Sequence, residues 1–286
     1  MIKFVNILSN VISEARRYKF APETLDKINK MVDKLWSERK KDLQRRKELM
    51  GVIPMKTANG VDGLVRVYVN PRLSYIGFMD LRPSKSLDPA DMVIEVNPKY
   101  YESKKNLYLT IYHEMLHAAD PTQSVHWSPR YMMSYDETSD KDYWGHPVEF
   151  FAISNEFLEG LVKEFERRVK RTRKPENLEF LNKSLKNILN YFAKGEKLSP
   201  LSNDILFRVN DEHVSEETPK ALKNWTADMP HLADFMTRGE EEPYYLHYVQ
   251  MIKKFNPTIW KKFLSMLYDT TFEIKDIIEG KSGLKS

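Results

Sequence analysis

A chain of 286 residues can bury a full hydrophobic core, as one large domain or two modest ones. No apolar run approaches the roughly 18 to 20 residues of a membrane span, and the stretch from Met1 to Asn10 lacks a signal peptide's basic flank, long apolar centre and cleavage site. The expectation is therefore a soluble, cytoplasmic protein with no membrane partner. With no cysteine, disulfides and thiolate metal sites are excluded, and any metal must be held by His, Asp or Glu. A formal net charge of +4, from 45 basic and 41 acidic residues, is too balanced to argue for nucleic acid.

In chain order, residues 3–18 and 22–50 read as two helices. The second opens on Pro22 and spaces Leu25, Ile28, Val32, Leu35 and Trp36 along one face, with Gly51 as its stop. The segments Leu64–Val69, Tyr75–Leu81 and Asp91–Val96 are short and rich in β-formers, and turn residues at Asn59-Gly60, Asp62-Gly63, Asn70-Pro71 and Pro83 to Pro89 bound them. They predict a small sheet. Lys104–Ala119 predicts a helix with Leu107, Ile111, Met115 and Ala118 as its apolar stripe, ending at Asp120-Pro121 because proline disfavours helix in the residue before it.

Thr122 to Gly145 has no clear periodicity but carries Trp127, Tyr131, Tyr135, Tyr143 and Trp144, which predicts an ordered loop lining something. Pro147 opens a long helix to about Thr172, and Pro175 opens another to about Gly195. The remainder is mostly helical in pattern, with Trp260, Phe263, Met266 and Leu267 on one buried face.

The chemistry sits in the helix over Lys104–Ala119. His113-Glu114-Met115-Leu116-His117 fits H-E-x-x-H, in which two imidazoles one turn apart can share a metal ion. Glu114, offset around the helix, can reach a water activated by that metal without itself becoming a ligand. A catalytic site needs a third protein ligand and an open position. In the extended pattern H-E-x-x-H-x-x-G-x-x-H the glycine and last histidine would fall on Asp120 and Gln123, so that pattern fails.

The better third ligand is Glu149, 32 residues beyond His117 and in the first turn of a new helix, where the helix dipole favours its ionised form. A first-turn glutamate also interacts well with a helix terminus for its own sake, and His126 and His146 are rival ligands. Glu156, two turns after Glu149, is either an outer partner of the site or, more commonly for such a residue, a solvated charge. Asp120 either fixes the tautomer of a ligand imidazole or belongs to an Asp-Pro turn.

The run His113 to Asp120, followed by Tyr143-Trp144-Gly145-His146-Pro147-Val148-Glu149 and Ala152, resembles zincin metallopeptidases of the kind encoded by bacteriophages and mobile elements. The resemblance covers about residues 90 to 160. It implies that His113, His117 and Glu149 bind zinc and that Glu114 is the general base, as in gluzincins. It also makes Met92 to Val96 the candidate sheet edge on which a peptide substrate lies as an added strand, the alternative being an ordinary interior strand. A phage origin would put the protein in the host cytoplasm or the virion.

The expected fold class is α+β: a zincin-like core over residues 51–172 with a small mixed sheet, a helical arm over 1–50, and a mostly helical region over 173–286. The expected activity is zinc-dependent peptide hydrolysis, with an oxyanion donor drawn from Tyr143, Tyr135, His126 and His146 and Tyr143 foremost. An inactive zincin-fold structural or interaction protein is the alternative. Nucleic-acid binding, suggested by Arg39-Lys40-Lys41, Arg45-Arg46-Lys47 and the run from Arg167 to Lys174, is disfavoured because those runs lie on predicted helices, where solvated faces or favourable helix ends account for them.

Overall fold

The computed structural model describes residues 17–39, 47–72, 77–80, 91–97, 99, 101, 103–120, 147–172, 175–211 and 244–281. The helix expected over 3–18 and the aromatic-rich loop over 122–145 lie essentially outside them. The described elements are α1 (Pro22–Glu38), β1 (Glu48–Lys56), β2 (Asp62–Val69), β3 (Gly77–Asp80), β4 (Asp91–Val96), α2 (Lys104–Ala119), α3 (Pro147–Arg171), α4 (Pro175–Lys194), α5 (Pro200–Asp211), α6 (Tyr244–Phe255) and α7 (Pro257–Ile278). The class is α+β, predominantly helical with one small mixed sheet. No helix among the described residues is long and apolar enough to cross a membrane.

The described residues divide into two units: one within residues 18–153, the other of residue 17 with those within 154–211 and 244–281. The division passes through α3.

The first unit is built on the sheet, in the order β1-β2-β4-β3. β1 and β2 are antiparallel, β2 and β4 run parallel from Leu64↔Asp91 to Val69↔Val96, and β3 closes the other edge antiparallel to β4. Strand alternation sends Met50, Ile53, Met55, Val65, Val67, Val69, Met92, Ile94 and Val96 inward. There they join Ile28, Val32 and Leu35 of α1 and Leu107, Ile111 and Met115 of α2 in one cluster. Each fully buried aliphatic side chain contributes roughly 1.5–3 kcal/mol.

Two expectations need correction here. The helix expected over 22–50 stops at Glu38, and residues 48–56 are strand. The apolar stripe of α1 ends at Leu35–Trp36, while the charges that follow fit a helix surface or a connection equally well. Gly51 is accordingly no helix stop: it sits in β1 beside a bulge at Leu49/Gly51, and a side-chain carbon added there would come within 2.8 Å of the Met31 methyl on α1. Of the two readings of Met92 to Val96 the interior strand holds and the substrate edge does not, because β4 is paired on both sides and, among the described residues, the edges are β1 and β3.

Three carbonyls of β1 are engaged by side chains. Lys34 Nζ donates to the Met50 carbonyl at 2.6 Å, Thr24 Oγ1 to that of Pro54 at 3.2 Å, and the Tyr18 hydroxyl to that of Lys56. Pro54, which lacks an N–H, is tolerated on such an edge.

The second unit is helical. Phe157 of α3, Phe192 of α4 and Phe263 of α7 pack with ring centroids 5.6 to 5.9 Å apart, and Phe157 and Phe263 are essentially fully buried. In α7, Phe263, Met266 and Leu267 are buried as expected, while Trp260 is half-buried. Glu164, 1% exposed, accepts from both Arg167 and Arg168, and Arg168 also reaches Asp204 at 2.6 Å. The basic run beginning at Arg167 therefore opens with ion-paired side chains.

Candidate metal centre

The helix that carries the histidines starts and stops where its sequence directs. Ser103 caps it by accepting from the Asn106 N–H at 3.1 Å, and Asp120 ends it in extended conformation, its N–H shared between the carbonyls of Leu116 and His117. Leu107, Ile111, Met115 and Ala118 form the buried stripe that seats it against the core. A backbone bond of 2.8 Å from the Ala58 N–H to the Ala119 carbonyl ties its last turn to the β1–β2 connection. The helix touches both β3 and β4.

On this fixed helix the imidazoles of His113 and His117 stand nearly perpendicular, at 86°, with their Nε2 atoms 3.0 Å apart. Oε2 of Glu149, from the first turn of α3, lies 3.3 Å from each of those nitrogens. The three make up a His-His-Glu group suited to a metal ion. His117 is almost enclosed, at 6% side-chain exposure, whereas His113 and Glu149 keep 24% and 25%.

Zinc bonds of about 2.0–2.1 Å at tetrahedral angles place neighbouring ligand atoms about 3.3–3.4 Å apart. Two of the three observed separations match that spacing and the third falls slightly inside it. The donor chemistry fits as well, because two nitrogens and a carboxylate oxygen converging on one point need a cation or protons among them. Burial pushes the Glu149 carboxyl up, but the charge of His117, hydrogen bonds to both imidazoles and the charge of His113 outweigh it, leaving the group well below the usual carboxylate range. A carboxyl held ionised in this way is ready to act as a ligand.

Glu114 follows His113 and is half-buried. Its surroundings include a residue that sequence reasoning missed: Tyr101, 5% exposed, just before the helix. Burial raises the Tyr101 phenol far above its ordinary value, a side-chain hydrogen bond with Thr110 works against the rise, and the negative charge of Glu114 adds to it. Tyr101 thus stays protonated beside the carboxylate. The signal available in the sequence was an aromatic residue placed just ahead of a capped helix whose Thr110 and Glu114 share a face.

Of the other expected residues, Asp120 and Glu156 are buried, at 6% and 5% exposure, so the solvated reading of Glu156 is set aside. The remaining residues named from the sequence, Tyr143, Tyr135, His126 and His146, lie outside the described residues. No protein-family model, curated protein or solved structure matches the chain.

Proposed function

We propose that the chain is a zinc-dependent metallopeptidase with a zincin-like core, in which His113, His117 and Glu149 hold the metal and Glu114 is the general base. The observation that carries the reading is the convergence of the three donor atoms at 3.0 to 3.3 Å, close to the spacing of tetrahedral zinc ligands. Among the described residues the group supplies three donors, as in catalytic sites, and structural zinc sites are closed by four.

His113, His117 and Glu149 would hold the ion, whose Lewis acidity would lower the pKa of a water toward neutrality. Glu114 takes the proton of the attacking water and passes it to the departing amine. The rigid seating of α2 and the first turn of α3 hold the ligand set in place, so little reorganisation accompanies reaction. The substrate, a peptide, lies along β3 as an added strand, since β3 touches the histidine helix and the carbonyls of the opposite edge are already engaged. Tyr143 is the foremost donor to the oxyanion.

The test joins metal analysis to activity on a peptide library. One zinc per chain together with hydrolysis that chelation abolishes is the expected result. A native preparation free of metal, or hydrolysis indifferent to chelator, refutes the reading.

A further inference from the structure

Independent of the zinc reading, the helical unit contains a pocket of about 470 Å³. That size falls within the roughly 300–1,000 Å³ typical of small-molecule sites. Three helices build it: Tyr191 and Phe192 from the last turn of α4, Gln250, Lys253 and Lys254 from α6, and Trp260 from the start of α7.

Much of its lining is aromatic. Phe192 is 2% exposed, and the Trp260 indole stacks on Phe263 at 5.4 Å and 23°. Its polar lining comes from Tyr191, Gln250, Lys253 and Lys254. Gln250 Nε2 donates to the Tyr191 hydroxyl oxygen at 3.2 Å, which leaves the phenolic proton for another acceptor. The Lys253 ammonium stands 5.5 Å from the centre of the Trp260 ring, and neither Lys253 nor Lys254 forms an ion pair among the described residues. Lysines in the last turn of a helix are favoured by its dipole whatever else they do. The independent feature is the ring-lined cavity beside them.

We propose that this pocket binds a nucleobase together with its phosphate, the ring lying against Trp260 and the phosphate between Lys253 and Lys254. Aromatic walls recognise the flat face of any base. A terminal phosphate, close to dianionic at neutral pH, matches two ammonium charges that stand over aromatic rings and form no ion pair among the described residues, which a single carboxylate does not. The same chemistry is offered by a free nucleotide and by the 5′-phosphorylated end of a nucleic-acid strand.

The experiment is calorimetric titration of the intact chain with adenosine 5′-monophosphate, adenosine, inorganic phosphate and a 5′-phosphorylated oligoadenylate. Saturable binding of the monophosphate is expected, with adenosine and inorganic phosphate each weaker because each offers half of the recognition. Lys253→Gln with Lys254→Gln should weaken binding about tenfold or more. Both side chains are exposed, so the circular dichroism spectrum of this variant should match the parent. Tighter binding of the oligoadenylate than of the monophosphate assigns the pocket to a strand end, and equal or weaker binding assigns it to the free nucleotide. Absence of saturable binding by both phosphorylated probes, inorganic phosphate binding as tightly as the monophosphate, or unchanged affinity in the double variant overturns the proposal.

Discussion

Replacing Glu114 with glutamine keeps the size of the side chain while removing its ability to accept a proton. We therefore expect Glu114→Gln to lower peptide hydrolysis by about 10²- to 10⁴-fold with zinc content unchanged. Retained hydrolysis in that variant would take Glu114 out of the mechanism. Glu149→Ala, and His113→Ala combined with His117→Ala, should lose the metal instead, as read by elemental analysis after gel filtration. The environment of Glu149 gives a further expectation. Its folded carboxyl is held below the usual range, so it stays ionised until the pH drops beneath even that depressed value. In the metal-free protein, infrared titration of the carboxylate band compared between the parent and Glu149→Gln should therefore show this group still ionised on mild acidification, and protonation within the ordinary carboxylate range would contradict the environment described. At this scale much was legible in the sequence: the one-turn spacing of His113 and His117 fixes their common face, and Glu149 follows from its place in a helix's first turn. Tyr101 was not legible, because its closeness to Glu114 depends on how the chain enters α2.

The elements divide between those set by local signals and those set by tertiary pairing. Ser103 caps α2, so Ser103→Ala should cost about 1 kcal/mol, whereas Ile111→Ala, in the fully buried stripe, should cost about 2–5 kcal/mol in denaturant unfolding. Equal losses from the two changes would mean that the helix is held by its end and not by its packed face. The bounds of α2 and β4 coincide with those read from sequence, because a cap and Asp120-Pro121 punctuate the helix and apolar β-formers fill the strand. β1 escaped the reading for a physical reason. Its bulge between Leu49 and Gly51 breaks the alternation, and Pro54 argues against strand until the edge position is known. Strand order was also hidden, since the parallel pairing of β2 with β4 brings together segments separated in sequence by β3.

For the whole molecule, the two units are interleaved along the chain and not laid end to end. Residues 154–171 of α3 are grouped with the later helices, and Phe157, Leu158, Leu161 and Phe165 are buried there. A fragment of residues 173–286, the C-terminal region expected from sequence, should therefore lack a cooperative thermal transition by circular dichroism, while the intact chain has one. A cooperative melt of that fragment would show that α3 is dispensable to the helical unit. The treatment of β1 bears on how copies of the molecule meet one another. Lys34, Thr24 and Tyr18 occupy the acceptors through which one sheet could continue into the next, and Pro54 withholds a donor along the same border. Growth of a ribbon from molecule to molecule is blocked on that side, so concentrated solutions should stay free of fibrils nucleated there, and only stripping those three side chains would expose a border able to polymerise.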